Sequence, residues 1–436
     1  MCRIVRRPSL SFLFSFSILV SLSIVVQDAE ADTCTWDGST GSWQTGGSWS
    51  CGHEPAAGDT AVINSGTVTV TSNVTVDGLT QGGGPIEGAG DIAITAALIW
   101  TGGYHSGSGL TTLGPAATWT VSGGRNLLRD FRNEGAITWS SGGMTIQAGA
   151  TFTNAGTLDI QISGNEIWGA GANFDNTGTI TKTVTDRTAW LDSAFTNSGS
   201  VEVSTGMLQF RFGGTTITGS VTSSGTGVVS FDAGTHTLEA SSTVTGQDIR
   251  FSGSNTATVS GTFTPVNTTI AKNVNFNNGA RTLQNVNLSN YTWGGDSDVT
   301  ISNELNWTGG YIQRTGLTTL GSAATWSISG GRSLLSDFRN EGAITWLSGG
   351  MSIQAGATFT NAGTPDIQIS GNEVWGAGAN FDNTGTITKT VTDRIAWLDS
   401  AFTSSGSVEV STGMLQFRFG GTTITGSVTS SGTGVV

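Results

Sequence analysis

The sequence predicts an all-β fold, a parallel β-solenoid of the right-handed β-helix type with coils of about 21 residues. Three observations predict it. Residues 98–229 recur as residues 305–436 at a constant offset of 207, with about 116 of 132 aligned pairs identical. Block duplication lengthens solenoids and adhesive arrays, because each unit buries its apolar face on the next, whereas an enzyme needs one asymmetric pocket. Inside the block a shorter motif repeats four times, as Phe131-Arg-Asn133-Glu-Gly135, Phe152-Thr-Asn154-Ala-Gly156, Phe174-Asp-Asn176-Thr-Gly178 and Phe195-Thr-Asn197-Ser-Gly199. Its near-constant spacing is the period of one solenoid coil. Each segment sets an apolar residue before Asn and Gly, two residue types that tolerate positive φ. An aliphatic residue then opens a strand, followed by a polar position (Thr138, Asp159, Thr181, Glu202) and an apolar one (Trp139, Ile160, Val203), Lys182 being the exception. That is the period-2 alternation of a half-buried strand.

Taken from the start, the chain opens on an address. Arg3, Arg6 and Arg7 precede an apolar stretch at residues 10–26, and Ala29-Glu30-Ala31 fits a small-x-small cleavage site. Residues 1–31 therefore read as a secretory signal peptide. An uncleaved membrane anchor is the alternative, but no later apolar run is long enough to span a bilayer. Cys2 leaves with the signal, and Cys34 and Cys51 remain. In an exported chain such a pair is most simply one disulfide, here closing a loop that holds Trp36, Trp43 and Trp49. Residues 32–67 read as a Trp-rich, disulfide-closed cap over the first coil, because an open solenoid end is an aggregation-prone strand edge. The three tryptophans could instead form a sugar-stacking platform.

Coils are expected from 68 to 304 as a first long unit and from 305 to 436 as a second. The second stops inside its own repeat, which reads as the truncated fragment of a longer gene product. Successive coils should stack Phe131, Phe152, Phe174 and Phe195 as an internal aromatic column, with Asn133, Asn154, Asn176 and Asn197 as an asparagine ladder at the turn. A run of Ig-like sandwiches competes with this reading. It calls for units of about 100 residues and a Cys…Trp…Cys pattern, and neither is present. After residue 31 no helical periodicity survives the interruptions by Gly, Thr and Val.

Composition excludes several functions. The chain has 18 basic and 31 acidic residues, net charge −13, and only 11% charged residues against 65 glycines. An acidic surface this poor in Lys repels nucleic acid and anionic membranes. His53, His105 and His236 are far apart, so no metal site and no cofactor is expected; Gly294-Gly-Asp296-Ser-Asp298 is a weak, lone calcium-like match.

The Phe-x-Asn-x-Gly coils, the opening from Cys34 to Ile63 and the paired Trp100-Thr-Gly-Gly103 and Trp307-Thr-Gly-Gly310 resemble those of exported, repeat-rich bacterial β-helix surface proteins, adhesin-like and autotransporter-passenger-like. The resemblance covers nearly all of the chain after residue 31 and implies an extracellular scaffold or adhesin. It brings no catalytic residues.

β-Helices also host polysaccharide lyases and hydrolases, whose chemistry needs carboxylates near a base. Asp130, Arg132 and Glu134 form one candidate group, and Asp186, Arg187 and Asp192 another. Solvated turn charges and surface ion pairs are the preferred reading of both. An ice-binding threonine face is interrupted at aligned positions by Asp159 and Glu202. The expectation is thus a secreted or cell-surface, non-enzymatic spacer or adhesin whose partners are environmental or host glycans, or cell-surface components. The alternatives are a carbohydrate-active β-helix enzyme and a glycan-binding module.

Overall fold

The computed structural model describes residues 31–162, 166–168, 173–184, 186–211, 214–368, 373–375, 379–391, 394–418 and 421–436. All but the last residue of the expected signal peptide lies outside them. The chain winds as a parallel β-solenoid with coils about 20 residues apart. The one helical element among the described residues is a single 3-10 turn, Gly46–Ser48.

Each coil lays down three short strands and so builds three faces. Phe131–Asn133 lies on the first face, Ala136–Trp139 on the second and Met144–Ile146 on the third; Thr151–Asn154 then returns to the first, with Phe152 in register on Phe131. The same column continues with Phe174 on Phe152 and Phe195 on Phe174. Within a strand, side chains alternate in and out as the pleat requires: in Thr151–Asn154, Phe152 and Asn154 are buried and Thr151 and Thr153 are partly exposed.

The Asn and Gly of the repeat serve a purpose other than the expected one. None of Asn133, Asn154, Gly135, Gly156, Gly178 and Gly199 has positive φ. Each of these glycines lies so close to the preceding coil that a Cβ would meet a backbone carbonyl oxygen: that of Gly135 for Gly156, of Gly156 for Gly178 and of Gly178 for Gly199. Close approach, not backbone freedom, selects glycine at this corner.

Coil length is not constant. A long coil leads from Ser220 to its partner Thr243, whereas short ones lead from Ala257 to Val274, from Thr268 to Val286 and from Val274 to Trp293. In this part of the chain a strand can turn the corner and run on along the next face, as Ser220–Phe231 and Thr262–Ile270 do. One strand, Val299–Trp307, crosses position 305, so the ladder is unbroken where the second copy begins. The N-terminal segment is itself wound into the solenoid: Thr33–Thr35 pairs with Thr60–Ile63, and Thr40–Ser42 with Thr67–Thr69.

The coil lengths have a geometric consequence. Ten ladder steps along the first face lead from Phe131–Asn133 to Arg332–Leu334. In sequence, Arg332–Leu334 is the copy of Arg125–Leu127, a third-face strand. The offset of 207 therefore equals ten coils plus one strand. The copy of Phe131–Asn133, Phe338–Asn340, stands on the second face, stacked on Thr318–Leu320.

Candidate functional site

At the N-terminus, Cys34 and Cys51 form a disulfide with Cα atoms 5.0 Å apart. Beside it Trp49 packs edge-on against both Trp36 and Trp43, at 5.0 and 4.9 Å between centroids. All three indoles are buried, and their N–H groups donate to the carbonyls of Ser39, Pro55 and Trp43. Buried rings with their donors engaged offer no face to a sugar.

The interior is filled by two kinds of column. Phe131 stacks on Phe152 at 5.6 Å, and Phe174 meets Phe152 and Phe195 edge-on at 5.0 and 5.3 Å. The aromatic spine runs further than the repeat motif indicates. It begins at Trp100 and Trp119 and, beyond Phe195, crosses the interior through Phe210, Phe231, Phe251, Phe263 and Phe276 to Trp293. Beside the phenylalanines, the buried carboxamide of Asn133 donates to Asn154 Oδ1 at 2.7 Å, Asn154 to Asn176 at 2.7 Å and Asn176 to Asn197 at 2.6 Å. These amides end their strands and point inward, so the ladder lies inside the corner. Each also donates to a carbonyl of the next coil, Thr157, Thr179, Ser200 or Ser220.

Buried cations close other corners. Lys182, the break in the sequence alternation, is fully buried and donates to the Val184 carbonyl. Lys272 donates to the Asp232 and Gly234 carbonyls, and burial pulls its pKa down to about 8. His105 lies between Gln81 Oε1 at 2.8 Å and Thr111 Oγ1 at 3.1 Å, and full burial pushes its pKa down to about 3. The two lysines donate to inward-facing carbonyls, whereas His105, uncharged at neutral pH, bridges two side chains.

The charged candidates from the sequence do not assemble into a reactive centre. Asp130 Oδ1 accepts the Thr151 N–H at 2.9 Å and so braces two coils. Arg132 and Glu134 form an ion pair at 2.7 Å with both side chains exposed, worth little in water. Asp186 and Arg187 are exposed. Asp192 is held by Arg211 through two bonds of 2.7 and 2.8 Å, and that guanidinium lies 4.2 Å over the Trp190 ring. Asp159 and Glu202 do share the outward second-face row with Thr181. Among the described residues, one group of three metal-ligand types converges, Cys34, Cys51 and His53, and the disulfide occupies both sulfurs.

The surface carries shallow troughs. One of about 630 Å³ lies beside Thr262, Thr264, Thr282 and Thr300, and one of about 610 Å³ is bounded by Asn275, Gly295, Asp296 and Gln313. Sequence reasoning missed both, because each is made by side chains from separate coils. A filled interior and continuous parallel ladders define the class of protein as a parallel β-solenoid. No protein family, curated protein or solved structure matches the chain.

Proposed function

We propose that the chain is an exported, non-catalytic rod that acts at or beyond the cell surface as a spacer or adhesin stalk. One observation carries this reading: duplication added ten coils plus one strand. It reproduced the packing of the interior but turned the copied surface onto a neighbouring face. Such a change extends a rod, and it does not present the same surface twice along one line. The disulfide supports a route through an oxidising compartment. Among the described residues no helix is long and apolar enough to cross a membrane.

The test is to excise residues 112–318, which rejoins Thr111 to Thr319, the copy of Thr112. At about 4.8 Å per coil, small-angle scattering should show a rod shorter by roughly 50 Å. The remaining coils should keep their thermal stability, and neither form should cleave any polysaccharide in a substrate panel. Collapse of the shortened chain, or turnover of a polysaccharide, contradicts the reading.

A further inference from the structure

We infer a binding site for an uncharged pyranose-type sugar on the first face, where the segment between the two copies meets the second copy; it goes beyond the rod reading and does not depend on it. Trp293 pairs with Ile312, and Asn275 with Gly294, so Asn275, Gly294 and Gln313 follow one another along the rod axis on successive coils. Adjacent strands lie about 4.8 Å apart, which puts the two carboxamides roughly two strand spacings apart. Gly294, between them, has no side chain, so the Asn275 carboxamide leans across it; a Cβ there would press on Asn275 Oδ1. The result is the trough of about 610 Å³.

Its chemistry suits a neutral polyol. The side chains of Asn275 and Gln313 make no hydrogen bond to any described residue, so two amides, each donor and acceptor, face the trough unengaged. At its rim, Asp296 Oδ1 takes only the Asn278 N–H, at 3.2 Å, which leaves carboxylate lone pairs for hydroxyl donors. The basic residue at the trough, Arg314, is 7% exposed, with its guanidinium turned inward over Trp293 and donating to the Ser297 carbonyl. It therefore offers no cation to an acidic sugar. Tyr311 lies two residues before Gln313 on the same side of the strand and is 49% exposed. An exposed phenol beside unengaged amides supplies the apolar ring face and polar edge that a pyranose needs. In the first copy Ser106 stands where the second has Gln313 and Gly107 where it has Arg314, so the arrangement occurs once.

The full chain should be titrated calorimetrically with cellohexaose, maltohexaose, xylohexaose and laminarihexaose, with oligogalacturonate as a charged control. At least one neutral oligosaccharide should bind, and oligogalacturonate should bind at least tenfold more weakly. Gln313→Ala and Tyr311→Ala should each weaken binding about tenfold. Gly294→Val displaces the Asn275 carboxamide and should abolish binding; thermal melting and buried-tryptophan fluorescence report whether it stays folded. If that variant unfolds, the two surface variants decide. Absence of binding by all four neutral oligosaccharides, equal or tighter binding of oligogalacturonate, or unchanged affinity in Gln313→Ala and Tyr311→Ala overturns the assignment. None of these outcomes alters the rod length that tests the proposed function.

Discussion

The two copies keep the same interior while differing in how its polar defects are repaired. Ring separations along the spine nearly coincide: 5.5, 5.3, 5.6, 5.0, 5.3 and 4.8 Å from Trp100 to Phe210, against 5.4, 5.5, 5.6, 5.0, 5.5 and 4.6 Å from Trp307 to Phe417. The corner next to that spine is solved differently. In the first copy Arg129 reaches the Gly90 and Gly109 carbonyls, and burial lowers its pKa to about 10. Its counterpart is Ser336, and the guanidinium comes instead from Arg314, which donates to the carbonyl of Ser297, the residue 207 places after Gly90. Likewise His105 with Gln81 becomes Ile312 with Leu288, and the buried Thr318 hydroxyl, copy of Thr111, is left without a partner. The lesson is that the aromatic spine is kept ring for ring, while a carbonyl can be satisfied from either of two coils.

If the interiors are equivalent, Phe131→Ala and Phe338→Ala should each destabilise their surrounding coils by about 3–5 kcal/mol and by the same amount within about 1 kcal/mol. Hydrogen exchange resolved by coil measures both, and a larger disparity breaks the equivalence. The copies should separate in acid. His105 has a folded pKa of about 3, below the unfolded value of 6.5, so the unfolded chain takes up the proton first. Stability in the first copy should thus fall as pH drops from about 6.5 toward 3, a window in which Ile312 cannot respond. Replacing His105 and Gln81 by the Ile and Leu of the second copy should remove this sensitivity in equilibrium acid unfolding followed by proteolysis. An unchanged acid profile would place the cause elsewhere.

A smaller difference favours the first copy. Leu158 is in register with Ile180 within three ladder pairs, whereas its counterpart Pro365 leaves one pair, Asp366 with Thr388, between the same two strands. Proline removes a ladder donor. Pro365→Leu should therefore slow exchange across Thr364–Ile367 and Thr386–Lys389 about tenfold, and no change would show that the missing pairs carry no stability. The smallest effect concerns the end of the asparagine ladder. Asn383 donates to Ser404 Oγ at 2.9 Å, where Asn176 donates to Asn197 Oδ1 at 2.6 Å, and the shorter Ser404 side chain makes no counterpart of the onward bond of Asn197 to the Ser220 carbonyl. Ser404→Asn should add about 1 kcal/mol locally and Asn197→Ser should remove as much; shifts of equal sign would contradict the ladder.

The coils carrying Phe-x-Asn-x-Gly were legible in sequence because core residue, amide and close-approach glycine recur together once per coil. The intervening coils were expected only as a continuation of the unit from 68 to 304, and their individual lengths were not legible, since several of them are shorter and they carry no Phe-x-Asn-x-Gly. The role of the glycines was misjudged because a corner crowded by a neighbouring coil and a positive-φ turn select the same residue. The trough was invisible for a further reason. It depends on Asn275, Asp296 and Gln313 meeting from three successive coils, and no local pattern encodes that register.

The central claim is that the copies share one packing but face different ways. Cysteines placed at Thr153 and at its copy Thr360, each biotinylated and loaded with streptavidin, make the direction visible by electron microscopy of single rods. Both sites face outward, Thr153 on the first face and Thr360 on the second. The account predicts two tags separated by roughly ten coils, about 50 Å, projecting from adjacent faces, with a control pair at Thr153 and Ser352 projecting from the same one. Tags at Thr153 and Thr360 that project in line would show that the duplication spans a whole number of coils and would contradict it.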